Sequence, residues 1–229
     1  MLNKLYWYFA YLGSMAVVGS FFLGFRFDAT ASNMNYLFNI GLYLAFFIIH
    51  MVMTLPGFKK LVFGSPQGTS RERRIYVTVS IITWIIVMWL HKPVPGIAFL
   101  SPWWLQYLGI CMMLFSVFAF FEYANFEMMD SFIGIPGSEL SHSTGSETPL
   151  MTEGSYASVR HPMYRAMTLL MFSSLLVYPH TGQLLFVILL SASFILFVPI
   201  EERLLIKARG EEYRAYMAVT RYRLFRWIW

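Results

Sequence analysis

The chain has 229 residues, of which 58% are hydrophobic, 19% aromatic and only 13% charged, with a net charge of +5 and a mean hydropathy of +0.57. A soluble domain carries about 25% charged residues, so this chain lacks the polar surface that a water-facing protein needs. The composition argues against a soluble enzyme, a disordered chain and a secreted disulfide scaffold, and the single cysteine, Cys111, can close no intrachain disulfide.

The hydrocarbon core of a bilayer, about 30 Å thick, takes roughly 20 apolar residues per helix. Runs of this kind occupy residues 5–25, 36–55, 75–90 and 104–121. The first is longer than the apolar core of a signal peptide and lacks a small-x-small cleavage site, so it reads as a span. Residues 125–158 are rich in Gly, Ser, Thr and acidic side chains and read as a loop. Two further apolar runs, 163–178 and 184–200, flank Pro179-His180-Thr181-Gly182 and predict a tight hairpin of short helices. The expected fold is all-α, a multi-pass transmembrane helical bundle of about six spans. It divides into a four-span region (1–124), a cytoplasmic loop (125–158) and a C-terminal region (159–229) that holds the hairpin and an amphipathic helix. With the N-terminus inside, 15 of the 17 Lys and Arg residues fall on the cytoplasmic side, leaving Arg26 and Lys92 outside. A five-span arrangement would strand one basic cluster outside, so both termini are expected in the cytoplasm and the protein in the cell membrane. The basic residues sit in loops rather than in a nucleic-acid-binding tract, and the expected surroundings are membrane lipids.

Three stretches concentrate polar groups beside spans. In Ser158-Val-Arg-His-Pro-Met-Tyr164, the proline favours an extended residue before it and starts a helix. Arg160 and His161 then sit at a helix N-terminus, where backbone N–H groups favour an anion and arginine can fork onto a carboxylate or phosphate. An arginine snorkelling to lipid headgroups is the alternative. In Ile200-Glu-Glu-Arg-Leu-Leu205, two carboxylates lie at the membrane boundary, where a charge needs a partner. They either pair with Arg160 or hold a cationic or hydroxylated ligand, and one can face a site while the other faces a structural partner. In Gly210-Glu-Glu-Tyr-Arg-Ala-Tyr216, Tyr213 and Tyr216 share a helix face that either closes over a flat ligand or lies on the membrane surface. His50, late in the second apolar run, has no polar neighbour at helical spacing; its position makes it a functional candidate, with a satisfied core histidine as the alternative. The histidines show no metal-ligand spacing, and no metal site is expected.

Taken together, these stretches resemble the C-terminal signature of the isoprenylcysteine carboxyl methyltransferase and phospholipid methyltransferase superfamily. The matching residues are Arg160, His161, Pro162 and Tyr164; Glu201, Glu202 and Leu205; and Gly210, Glu212, Tyr213 and Tyr216. His50, Pro56, Phe58, Lys59 and Lys60, with Glu72, Arg73, Tyr76 and Val77, are similar to the methanethiol S-methyltransferase and NnrU branch. Three positions depart from the family pattern. Ala166 stands at the usual glycine, Thr54-Leu55-Pro56 lacks an arginine, and the tail beyond Thr220-Arg221 lacks the closing prolines. The last two bear on substrate identity more than on cofactor binding.

The resemblance implies binding of S-adenosyl-L-methionine from the cytoplasm, between the last two spans and the C-terminal helix. In that picture Arg160 holds the methionine carboxylate, His161 orients the cofactor and Tyr164 packs beside it. Glu201 or Glu202 takes the ammonium or ribose hydroxyls, and Tyr213 and Tyr216 lie near the adenine or the sulfonium. A thiol acceptor must lose its proton, for which His161, Glu201 and His50 are the candidate catalytic groups. The implied reaction is methylation of a small or lipophilic thiol such as methanethiol. The alternatives are methylation of an isoprenylcysteine carboxylate or a lipid amine, and a non-enzymatic NnrU-like membrane role. Sterol reductases have a similar C-terminal fold with NADPH, but the short chain and the Arg-His-Pro-x-Tyr block argue against that activity.

Overall fold

A computed structural model of the chain describes residues 2–21, 26–64, 69–123, 133–135 and 150–229. Most of the expected 125–158 loop therefore lies outside the described residues. Within them the chain forms eight α-helices and no named strand. The helices are α1 (Leu2–Ser20), α2 (Met34–Thr54), α3 (Pro56–Phe63), α4 (Ser70–Leu90), α5 (Trp103–Tyr123), α6 (Pro162–Val177), α7 (Thr181–Arg209) and α8 (Glu211–Val219).

Four of these are long and apolar enough to cross a membrane: α2, α4, the Trp103–Phe120 part of α5, and α7. The other two expected spans correspond to α1 and α6, which lie lengthwise in the same bundle. The Tyr6 hydroxyl of α1 donates to the Ile133 carbonyl, and Trp84 of α4 donates to Ser20 at the other end of α1. Helix α6 runs against α5, where Gly109 permits close approach: a Cβ there would lie 2.8 Å from the Leu176 Cβ and 3.0 Å from the Ser173 carbonyl oxygen. Phe21, Tyr43, Trp84, Met113, Leu170 and Phe186 meet in one core cluster. Outside it, Leu12, Leu37, Trp89, Phe118 and Leu196 are each more than half exposed. So much large apolar surface turned outward is the mark of a membrane protein rather than of a water-soluble one.

Local chemistry explains where the elements stop. Leu55 is extended (φ −69°, ψ 132°) because Pro56 disfavours helical backbone before it, and Pro56 then occupies the first turn of α3. Gly64, at φ 75°, closes α3 in the left-handed conformation. Thr69 and Glu72 form a capping box at the start of α4. Glu72 also meets Lys59 Nζ at 2.9 Å, which pins the short α3 against that helix end.

The hairpin differs from expectation in one leg. Its turn is where Pro179 and Gly182 predict, with His180 capping α7 by accepting from the Gln183 backbone N–H. Yet α7 does not end near residue 200. It continues through Pro199 for 29 residues, about 43 Å at 1.5 Å per residue. This exceeds the thickness of a hydrocarbon core and carries Glu201, Glu202 and Arg209 on one rigid rod. The apolar pattern stops at Ile200 because the next residues are charged, but Glu, Arg, Leu and Lys are good helix formers and the helix goes on.

Candidate functional site

The site is built where α6 begins, α7 ends and α8 lies across them. His161 is non-helical (φ −127°) immediately before Pro162. The Arg160 and His161 backbone N–H groups donate to the Tyr222 and Arg223 carbonyls, each at 2.9 Å. This stitches the C-terminal tail to the start of α6.

Glu202 is the centre of that knot. Its Oε1 accepts from Arg160 Nε at 2.6 Å and lies 3.3 Å from His161 Nε2, while its Oε2 accepts from Arg223 Nε at 2.9 Å. Arg160 Nη1 donates to the Thr220 and Arg221 carbonyls at 2.8 and 2.6 Å. All of these partners come from the chain itself, and Glu202 is buried. An interior ion pair must be compensated in this way, because a carboxylate out of water costs several kcal/mol when unpaired.

Glu201, one residue earlier and about 100° around the helix, faces a cavity of about 410 Å³. That size lies within the range of about 300–1,000 Å³ typical of small-molecule sites. Glu201 Oε2 is buried and accepts no hydrogen bond, and lies 3.5 Å from His161 Nδ1. The His161 imidazole is thus bracketed by both carboxylates. It stacks on Tyr164 (centroids 5.7 Å apart, planes 10° apart), which stacks in turn on Phe194 at 5.1 Å.

Helix α8 closes one side. Tyr213 and Tyr216 are buried with ring centroids 5.8 Å apart, and the Tyr216 hydroxyl donates to the Tyr156 carbonyl at 2.8 Å. Burial pushes the Tyr213 and Tyr156 hydroxyls well above the usual tyrosine range and pushes Tyr216 up to about 12. All three therefore stay neutral hydrogen-bonding groups at physiological pH. Gly210, at φ 57°, makes the turn that swings α8 back over the pocket.

The remaining wall comes from the N-terminal half. His50 of α2 contacts two side chains of α4, the Tyr76 hydroxyl at its Nε2 and Ser80 Oγ at its Nδ1 (3.0 Å). Beside them Arg73 places its guanidinium carbon 5.2 Å from the Tyr76 ring centroid. Deeper in the bundle the lining becomes apolar, with Phe46, Trp84 and Met171 among the residues that bound it.

Of the residues singled out from sequence, His50, Arg160, His161, Tyr164, Glu201, Tyr213 and Tyr216 all line this one cavity. Glu202 does not; it supports the site from behind. Arg160, expected to hold a ligand's carboxylate, directs Nε and Nη1 to Glu202 and the tail. Sequence reasoning did not assign Lys59, Arg73, Tyr76, Ser80, Tyr156 or Arg209 to the site, yet all six border the cavity. Tyr76 and Ser80 carried a usable signal, being polar residues four apart on one face of an apolar helix.

Fold and site together define a helical membrane protein whose basic end holds a pocket of carboxylate, histidine and tyrosine side chains. Residues 38–229 match the family model described as NnrU protein, and the chain belongs to that family. It is similar to methanethiol S-methyltransferase 2 of Bradyrhizobium diazoefficiens, with 27% identity over 187 residues that cover 79% of this chain and 69% of the relative. No solved structure matches the chain. The expected placement in the NnrU-like branch of the isoprenylcysteine methyltransferase type is thereby shown, and the protein is a methyltransferase-like membrane protein.

Proposed function

We propose that this protein is an integral membrane methyltransferase that uses S-adenosyl-L-methionine to methylate a small thiol such as methanethiol, with its basic end facing the cytoplasm. The observation that carries this reading is the contrast within one helix turn. Glu202 is saturated by partners from the chain, whereas Glu201 brings to a cavity walled by tyrosines a buried oxygen that accepts no hydrogen bond and has His161 Nδ1 3.5 Å away. Such an oxygen suits an ammonium or a ribose hydroxyl, and tyrosine faces suit a sulfonium, worth about 0.5–2 kcal/mol as a cation–π contact. The residues present therefore fit the cofactor. Bound there, it would supply a methyl group activated by positive sulfur.

The chain's own part is binding, orientation and exclusion of water. Glu201 would hold a polar arm of the cofactor, with His161 fixing the carboxylate's position. Tyr164, Tyr213 and Tyr216 would sandwich its flat and cationic parts. Arg160 and Glu202 would keep α6, α7 and the tail in register. The apolar inner part of the cavity suits a small lipophilic acceptor arriving from the bilayer. Holding reactants in line accounts for much of the rate in such displacements.

The reading is tested by incubating detergent-purified protein with S-adenosyl-L-methionine and methanethiol and measuring dimethyl sulfide in the headspace. Product from the wild type, and its loss in Glu201→Gln, is the expected result. No product from folded wild-type protein overturns the proposal.

A further inference from the structure

The cluster of His50, Tyr76 and Ser80 crosses from α2 to α4, lines the cavity and is not needed to hold a cofactor. Its hydrogen bonds favour one arrangement of the protons. The Ser80 hydroxyl donates to the Tyr76 backbone carbonyl at 2.7 Å. With its single proton in that shorter bond, Ser80 Oγ accepts from His50 Nδ1, at 3.0 Å. His50 is then protonated on Nδ1 and carries its lone pair on Nε2, the atom in contact with the Tyr76 hydroxyl. The tyrosine must donate. Phe46, stacked on the imidazole at 5.4 Å, keeps the ring in that plane.

We propose that Tyr76 is the group that takes the proton from the acceptor thiol, with His50 Nε2 as the proton's destination and Ser80 as the positioning residue that sets the tautomer. This inference rests on the methyltransferase reading and adds the residues that activate the acceptor. In the step, the S–H bond breaks and its electron pair stays on sulfur. The proton passes to Tyr76 Oη, whose own proton moves to His50 Nε2, leaving a thiolate, a neutral tyrosine and an imidazolium. The Arg73 guanidinium beside the Tyr76 ring favours the thiolate, as a nearby cation does for any thiol, and disfavours the imidazolium, which returns to its neutral form once the thiolate is methylated. Tyr76 lines the same cavity as Tyr164 and Glu201, so the thiolate would form in the cavity assigned to the cofactor. An ionisable residue inside a bundle at membrane depth is costly, and a pocket-lining position gives it a use that a purely structural histidine would not need.

The test compares two acceptors. A thiol needs a base, whereas methaneselenol is already ionised at neutral pH and does not. Tyr76→Phe and His50→Gln are expected to slow methylation of methanethiol by about 10²-fold, the lower end of general-base contributions. Methylation of methaneselenol should stay close to wild type. Calorimetric binding of S-adenosylhomocysteine should be unchanged in both variants, since the acceptor side alone is altered. Ser80→Ala keeps the tyrosine and histidine but frees the tautomer; it should show the same thiol-selective loss in milder form, and carries the test if Tyr76→Phe does not fold. Equal activity of the variants and wild type on methanethiol overturns the relay. So does parallel loss on both acceptors with cofactor binding intact, which would make Tyr76 a shape-determining residue only. A wild type that neither binds S-adenosylhomocysteine nor methylates either acceptor removes the methyltransferase reading itself, and the relay with it.

Discussion

Around Glu202 the chain closes on itself: two arginines and a histidine meet one carboxylate, and two tail carbonyls accept from Arg160 Nη1. Around Glu201, in the same turn of α7, the chain leaves a buried carboxylate oxygen without a hydrogen bond and sets aromatic rings about it. The two glutamates have the same chemistry, but Glu202 is buried and Glu201 is half-buried at the cavity, so the difference lies in what surrounds them. Where compensation is complete, the charge serves the fold; where it is left open in a cavity, the charge is available to a ligand. Arg160 stands between the two: it borders the cavity, and its Nε and Nη1 go to Glu202 and the tail.

Removing the closed side should have the largest effect. Glu202→Ala leaves Arg160 buried without its carboxylate, and loss of one partner of such a pair costs about 3–5 kcal/mol. Thermal unfolding in detergent, without ligand, should show this as a large drop in Tm; an unchanged Tm would remove the distinction between the two glutamates. The open side should respond in the opposite way. Glu201→Gln should unfold like wild type, while S-adenosylhomocysteine binding weakens by about 1.5–3 kcal/mol, the size of a hydrogen bond to a charged group, measured calorimetrically.

A smaller effect is expected at the lid. Tyr216→Phe removes the hydrogen bond to the Tyr156 carbonyl and should cost about 0.5–1.5 kcal/mol in unfolding free energy. The Tyr216 hydroxyl also makes a prediction about pH. Burial raises it to about 12 in the folded chain, from about 10 when unfolded. Its contribution to stability is therefore complete below pH 10 and lost as the pH climbs toward 12. The difference in Tm between wild type and Tyr216→Phe should shrink over that window and stay constant at neutral pH; a difference that instead grows above pH 10 would contradict the burial argument.

Much of the C-terminal half of the site was legible in the sequence because its parts are local. Arg160-His161-Pro162, Glu201-Glu202 and Tyr213–Tyr216 each owe their geometry to one helix start or one helix turn, which spacing reveals. Which glutamate faces the pocket was not legible: it depends on the rotation of α7, and that rotation is set by packing against α6 and the tail. The N-terminal wall was harder still. His50 meets Tyr76 across 26 residues and the short helix α3, and no periodicity within α2 announces a partner on α4. The length of α7 was underestimated because the apolar run ends at Ile200, whereas helix propensity does not.

The most direct test of the account is a calorimetric titration of S-adenosylhomocysteine into detergent-purified wild type and Glu201→Gln. The account predicts a saturable wild-type isotherm with one site per chain and an affinity at least tenfold weaker in the variant, about 1.4 kcal/mol. Folded wild-type protein that takes up no ligand, or a variant that binds as tightly as wild type, would contradict it.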